Sequence, residues 1–302
     1  MRKHLLFIFN PYSGKGKIKD YLFDIIDIFT KADYIVTVHP TQKPGDCTAE
    51  LGTAGRTYDL VVVSGGDGTL NEAVSGMLSL PPESRVPIGY IPAGTMNDFA
   101  SGNGIPKTMV NAAAAIIDGN LVKYDIGSFD NKTFIYVAAF GAFTDVSYDT
   151  PQLTKHLLGN AAYVIEGIKR LYTLEGIYVS IKTDEGEEYE GDVFVCLIMN
   201  STSVAGFDVG DFYNINTNDG LFEIVVIPKT DNIIDFATLI TSIKNGERNK
   251  DGMRVISTTG AKIKTSLPVR WTLDGEYGGE TDSAVFKVIP NAVDFIINNK
   301  EN

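Results

Sequence analysis

Apolar residues recur along this chain in two rhythms, and the rhythm changes near Tyr124. The first begins with the unbroken run Leu5 to Phe9, short enough for a buried strand. It stops at Asn10-Pro11, and Ile18, Leu22, Ile25, Ile26 and Phe29 then fall at i, i+4, i+7, i+8 and i+11, one face of a helix. Residues 34–39 read as a strand and 41–57 as a helix. Leu60, Val61, Val62 and Val63 form a mostly β-branched run that suits a strand covered on both faces. That run breaks at Ser64-Gly65-Gly66-Asp67-Gly68, and Thr69 to Val74 reads as the opening of a helix. Thr69 is placed to cap it, with Glu72 at the capping-box spacing. A strand at 87–91 and an alanine-rich helix at 106–118 complete the alternation. Strand and helix in strict turn predict a parallel, doubly wound α/β domain over residues 1–124.

Beyond Tyr124 the strand-like segments follow one another without regular helices between them: 121–129, 133–142, 176–183, 188–199, 220–227, 253–258, 261–274, 284–289 and 293–297. Asp184-Glu185-Gly186-Glu187 is a hairpin turn between two of them. Helical patterns interrupt at Thr154–Leu174 and Asn232–Asn245. Residues 125–291 are therefore expected to form an antiparallel β-sandwich, with the tail 292–302 free to return to the first domain. An exposed edge strand in the sandwich would allow a homodimer.

Composition removes several function classes. The 302 residues are 44% apolar and 21% charged, ample for a sizeable core, and no window approaches the unbroken apolar length of a membrane-spanning helix. The apolar start ends after five residues with no small-residue cleavage site, so it reads as a first strand, not a leader. Cys47 and Cys196 lie far apart without metal-ligand spacing, as in a reduced cytoplasmic protein. His4, His39 and His156 are the only histidines and none is paired, which argues against a zinc centre and a Ser-His-Asp hydrolase. A net charge of −12 excludes general nucleic-acid binding and confines any contact with an anionic membrane to a local patch.

The chemistry concentrates where strands end. Gly65 to Thr69 joins a strand, a glycine turn and a helix N-terminus, which together make an anion site: backbone N–H groups close on phosphate oxygens and the helix dipole favours their charge. Asp67 has a place in such a cradle if a divalent cation lies between carboxylate and phosphate. Asn10 to Lys17 is a second glycine-rich loop carrying Lys15; it lacks the leading glycine and the following hydroxyl of a P-loop, yet its Ser13 and Gly14 amides suit a triphosphate. Gly94-Thr95-Met96-Asn97-Asp98 offers a hydroxyl, an amide and a carboxylate at the same sheet edge, where such folds bind ligands. In the second half, Asn218-Asp219-Gly220-Leu221 and Asp274-Gly275-Glu276 are turn signals, and Glu276 suits a general base if brought to a substrate hydroxyl.

Together these segments resemble the bacterial diacylglycerol kinase-like lipid kinases, relatives of eukaryotic diacylglycerol and sphingosine kinases. The resemblance is carried by Asn10-Pro11-Tyr12-Ser13-Gly14, Gly65-Gly66-Asp67-Gly68-Thr69-Leu70-Asn71-Glu72, Gly94-Thr95-Met96-Asn97-Asp98-Phe99-Ala100, Asp219-Gly220-Leu221 and Asp274-Gly275-Glu276, in family order across nearly the whole chain. Gly-Gly-Asp-Gly-Thr alone is shared with NAD kinases; the later motifs make the match specific. The resemblance implies a nucleotide-binding α/β domain, a lipid-substrate β-sandwich, and transfer of the γ-phosphoryl of ATP to diacylglycerol or a similar lipid. ATP would contact Asn10, Pro11, Tyr12, Ser13, Gly14, Lys15, Thr41, the turn Gly65, Gly66, Asp67, Gly68, Thr69, Leu70 and Asn71, and Thr95. It further implies catalytic roles for Asp67 and Asp98 beside Mg2+, Glu276 as the base, and a structural Mg2+ held by Asn216, Asp219 and the Leu221 carbonyl.

Two positions depart from the family pattern: Ser101 follows Ala100 where arginine is usual, and Glu166 stands where some members carry lysine. Both bear on activity and lipid choice. Lys155, His156, Lys169 and Arg170, with Leu157, Leu158 and Tyr163 between them, form a candidate docking face for transient contact with the inner face of the cell membrane, against the plainer reading of a helix packed on the sandwich, since the apolar positions also fit a core face. The rival readings are a kinase of another acceptor, such as a sphingoid base or a small polar alcohol, and a nucleotide-binding regulator without catalysis.

Overall fold

The computed structural model describes residues 2–54, 57–141, 176–201, 203–204, 207–208, 215–230 and 253–298, with 232, 234–235 and 238 between the last two stretches. The predicted helix at 154–174 and the candidate docking residues within 155–170 lie outside the described residues, as does most of 232–245. The chain divides into two compact units, Met1–Ile126 with Pro290–Asn302, and Gly127–Ile289.

In the first unit, strands β1 (Lys3–Phe9), β2 (Tyr34–Pro40), β3 (Leu60–Gly65) and β4 (Ile88–Pro92) alternate with helices α1 (Ile18–Lys31), α2 (Asp46–Ala54) and α3 (Asp67–Leu78). The short α4 (Asp98–Gly102) and α5 (Met109–Ile117) follow. The strands are parallel in the order β2-β1-β3-β4. Every residue of β3 and β4 is buried, which is why their patterns are continuous and not alternating. Leu5, Phe7, Phe9, Leu60 and Val62 pack on one face against Ile18, Ile25 and Phe29 of α1 and Ala112, Ala113 and Ile116 of α5. Strand alternation turns Leu6, Ile8, Val61 and Val63 to the other face, where α2 and α3 pack together. This is the doubly wound arrangement the pattern predicted.

The α2 helix is shorter than the predicted 41–57, because Pro44 and the left-handed Gly45 (φ 81°) form a turn, closed by the Asp46 N–H on the Lys43 carbonyl at 3.2 Å, and the helix starts only at Asp46.

Strands β5 (Asn120–Phe129), β6 (Lys132–Phe134), β7 (Val137–Gly141), β8 (Ile177–Thr183) and β9 (Glu188–Met199) lead into the second unit. The two-residue β10 (Ser203–Val204) and β11 (Phe207–Asp208) pair with each other. Then come β12 (Phe222–Pro228), β13 (Arg254–Thr258), β14 (Gly260–Leu273) and β15 (Glu276–Ile297). Pairing is antiparallel through β13-β12-β9-β7-β14-β15, and β8 bridges β9 and β14. Trp271, Phe286, Phe222, Phe134 and Phe140 fill the core of this β-sandwich, each 1% exposed or less.

The predicted strands 284–289 and 293–297 are one strand, β15, which begins eight residues earlier at Glu276. From Pro290 onward it belongs to the first unit, where Phe295 pairs with Ile88 of β4. There Phe295 lies 4.6 Å from Phe99 and 5.4 Å from Tyr124, centroid to centroid, and Tyr90 packs edge-on to Phe99 at 5.9 Å. The Arg85 guanidinium reaches the carbonyls of Leu80 (3.1 Å), Ala292 (2.8 Å) and Leu78 (3.4 Å), joining the end of α3 to the returning strand.

Candidate active site

Strand register sets the site. Phe9 is level with Pro40 and with Ser64, and Gly65 is level with Pro92, so the loops after β1, β2, β3 and β4 leave one edge of the sheet together. Backbone bonds tie them: the Asn10 N–H donates to the Ser64 carbonyl (2.9 Å), Thr41 N–H to Phe9 O (2.9 Å) and Ala93 N–H to Gly65 O (2.8 Å).

In the first loop the Asn10 side chain accepts the Tyr12 N–H at 2.9 Å and closes an Asx turn. Gly14, Lys15 and Gly16 then run left-handed at φ 56°, 65° and 71°. A side chain at Gly14 would overlap the Ala93 carbonyl oxygen, so this loop rests directly on the backbone of the third. Gly66 and Gly94 touch in the same way, since a Cβ on Gly94 would stand 2.6 Å from the Gly66 Cα. Glycine at these positions lets three loops meet main chain to main chain.

The helix after the second loop starts earlier than predicted. Gly66, extended at φ −87° and ψ −177°, is the N-cap of α3, and Asp67 is its first residue. Thr69 is not the cap: it is buried in the first turn, where its side chain packs beneath Gly65. Glu72 does not close a capping box either, because its carboxylate accepts the Gly45 N–H at 2.8 Å and its carbonyl accepts the Thr48 hydroxyl at 2.8 Å. Those two bonds hold the start of α2 beside α3. The helix N-terminus, with first-turn N–H groups that have no intrahelical acceptor, thus opens at the Gly-Gly-Asp-Gly turn itself.

The Asp67 carboxylate accepts the backbone N–H groups of Asp98 (3.2 Å) and Phe99 (3.4 Å), the first two residues of α4. Burial raises its pKa, and those N–H bonds oppose the rise by favouring the charged form. Asp98 is itself 8% exposed, and its N–H bond to the Asp67 carboxylate brings the two predicted catalytic aspartates side by side. Asn97, left-handed at φ 54°, folds its amide onto Gly94, accepting that N–H at 2.9 Å and donating to its carbonyl at 3.0 Å. Tyr90, 1% exposed, donates its hydroxyl to Gly65 O at 3.0 Å. Burial, and after it the Asp67 charge, raise the Tyr90 phenol well above its usual value, so the hydroxyl stays a donor. Neither Tyr90 nor the anchoring of Glu72 was legible as part of the site, since a tyrosine within an apolar run reads as core. Thr95 and Lys15 are exposed at the rim, and Ser101 is exposed on α4.

Glu276 and the predicted metal ligands lie in the second unit. Glu276 is exposed and pairs with Leu273 across a two-residue turn whose Asp274 (φ 49°) and Gly275 (φ 84°) have the positive φ pair of a type I′ hairpin. Asp274 is only 4% exposed, and its carboxylate takes three successive N–H groups: Ile135 (2.7 Å), Tyr136 (2.9 Å) and Val137 (3.1 Å). The sequence pattern marked Asp274 only as a turn residue. Asn216 and Asp219 share one turn, with Asn216 accepting the Asn218 N–H (3.4 Å) and Asp219 the Leu221 N–H (3.0 Å). Among the described residues no three His, Cys, Asp or Glu side chains converge as a metal centre.

Comparison with known proteins gives this geometry a context. Residues 4–129 match the family model for the diacylglycerol kinase catalytic domain, and residues 139–297 match that for a YegS C-terminal NAD kinase β-sandwich-like domain. A diacylglycerol kinase of Staphylococcus epidermidis is 36% identical over 285 residues, spanning 93% of this chain and 88% of that protein. One from Bacillus subtilis is 35% identical over 281 residues, 92% of this chain and 91% of the relative. Among solved structures, a diacylglycerol kinase from Bacillus anthracis str. Sterne superposes with a TM-score of 0.79 at 24% identity, covering 99% of this chain and 98% of that one, and so has the same fold.

Proposed function

This chain belongs to the bacterial diacylglycerol kinase-like family of lipid kinases, and we propose that it phosphorylates diacylglycerol or a closely similar lipid, with phosphatidic acid as product. As in its family, the phosphoryl donor is ATP. The observation that carries the reading is the three-loop cradle: backbone N–H groups at a helix N-terminus, closed by glycine contacts, with one half-buried carboxylate, Asp67, held at its edge. Phosphoryl transfer asks for this, because its catalysis is mostly positioning and charge neutralisation.

The residues fit magnesium by donor chemistry. Asp67 and Asp98 offer hard carboxylate oxygens beside the cradle, and a magnesium ion ordinarily completes its shell with water and nucleotide phosphates. Bound there, it would neutralise charge on the transferring group. Asn216, Asp219 and the Leu221 carbonyl are the oxygen donors we assign to a second, structural ion. Glu276 takes the proton of the lipid hydroxyl as that oxygen bonds to the γ-phosphorus, while the bond from phosphorus to the β,γ-bridging oxygen breaks and ADP leaves. Among the described residues no helix is long and apolar enough to cross a membrane, so the enzyme we propose reaches its lipid by transient contact with the membrane surface.

The test is transfer of labelled γ-phosphate from ATP to a panel of lipids in mixed micelles, with wild type and Glu276→Ala. Labelled phosphatidic acid from wild type only supports acceptor and base together. Label on another lipid or a soluble alcohol would correct the acceptor, and ATP binding without transfer to anything would favour a regulator.

A further inference from the structure

We infer that Asp274 is the residue that positions Glu276 for catalysis, an inference that rests on reading Glu276 as the general base. A two-residue type I′ turn needs nothing but residues that tolerate positive φ, and asparagine serves as well as aspartate. Such turns sit at hairpin tips in solvent. Here the first turn residue is 4% exposed and directs its carboxylate away from its own hairpin, onto the Ile135, Tyr136 and Val137 amides. Its N–H donates to Val137 O at 2.8 Å, and its carbonyl accepts the Tyr136 hydroxyl at 3.2 Å. Five bonds from one residue therefore fasten the turn to the start of β7.

β14 pairs with β7 only through Thr272↔Ala139 and Leu273↔Ala138, so the ladder ends just before the turn. Past that point Asp274 supplies the attachment. Three N–H donors on one carboxylate need both oxygens and use the charge. Asparagine would keep the turn and the volume but offer a single acceptor oxygen, and would aim an amide N–H at a backbone N–H. Glu276, two residues on and exposed, has its backbone fixed by this clasp. A base gains most of its effect from being held in line with the proton it removes, and a misplacement of about 1 Å costs on the order of a hundredfold.

The experiment compares wild type, Asp274→Asn, Tyr136→Phe and Glu276→Ala for kcat, for KM of ATP, and for hydrogen exchange at the Ile135 and Tyr136 amides. Asp274→Asn should lower kcat about tenfold to a hundredfold, leave KM for ATP within about twofold because the nucleotide loops belong to the other unit, and speed exchange at both amides. If Asp274→Asn melts too low to assay, Tyr136→Phe decides: it keeps the ring and removes one bond to the turn, and kcat should fall severalfold at unchanged KM. Faster exchange with kcat within twofold of wild type would overturn the inference, as would a fall in kcat matched by a rise in KM for ATP. Full activity of Glu276→Ala would instead remove the base reading itself, so the two failures are told apart.

Discussion

Replacing Phe295 by alanine would test how far the proposed nucleotide site depends on the returning strand β15. The ring is 1% exposed and lies 4.6 Å from Phe99 and 5.4 Å from Tyr124. An aromatic side chain buries roughly 150–250 Å², which at about 25 cal/mol per Å² gives an upper estimate of roughly 4–6 kcal/mol. Core Phe→Ala changes cost about 3–5 kcal/mol once the cavity is included, so a loss near 4 kcal/mol is expected. At about 2–4 °C per kcal/mol for domains of this size, that lowers the melting temperature by roughly 8–16 °C. Phe99 gives its N–H to the Asp67 carboxylate at 3.4 Å, so a void beside its ring loosens one of that carboxylate's donors. Thermal unfolding, with kcat measured well below the transition, reads both effects. Phe295→Leu, which keeps most of the volume, should recover more than half the stability. Melting of Phe295→Ala within about 2 °C of wild type would refute the packing argument, and normal kcat in a clearly destabilised protein would refute the link to Asp67.

Gly14→Ala should abolish measurable ATP affinity while leaving the second unit intact, because φ 56° and the Ala93 carbonyl both refuse a side chain; nucleotide titration by calorimetry checks it. Tyr90→Phe keeps the ring and removes the donor to Gly65 O, so stability should fall by about 1–2 kcal/mol and KM for ATP should rise, by denaturant unfolding and steady-state kinetics. Burial opposes the ionisation of Glu185, yet the hydroxyls of Thr258 and Thr259 and the Thr259 amide hold its carboxyl at about 2, well below the usual 4.5. A depressed carboxylate pKa means stability that is fully present above pH 4.5 and lost as pH falls toward 2. Glu185→Gln should therefore melt lower than wild type at neutral pH, and the gap should close across that window.

The site was legible where one local rule decides it, and obscure where distant backbone does. β1 and β3 read as strands because their apolar runs are buried on both faces, and Gly65-Gly66 reads as a phosphate turn because glycines between a strand and a helix let backbone close on an anion; the structure adds that a side chain at Gly65 would collide with Thr69 and one at Gly94 with Gly66. The cap of α3 was misread because Thr69 and Glu72 match a capping box by spacing, while their bonds go to Gly65 packing and to the Gly45 amide, 27 residues away in sequence. The start of β15 was missed because Glu276 to Asp282 is polar and glycine-bearing, and only its ladder with β14 makes it a strand. Asp274 could not be told from any turn aspartate, since its partners stand 137 to 139 residues earlier.

The returning strand also bears on how the protein is made. Chains grow from the N-terminus, and domains tend to fold as units as they emerge. Here the residues that pair beside β4, and the Ala292 carbonyl that Arg85 grips, are synthesised only after the whole of the second unit. Until then the nascent first unit carries an open β4 edge and an aromatic pocket without Phe295, the kind of surface that invites wrong pairing. Loss of the residues from Pro290 onward would thus strike the first unit, where we place the nucleotide, although they lie far beyond it in the message.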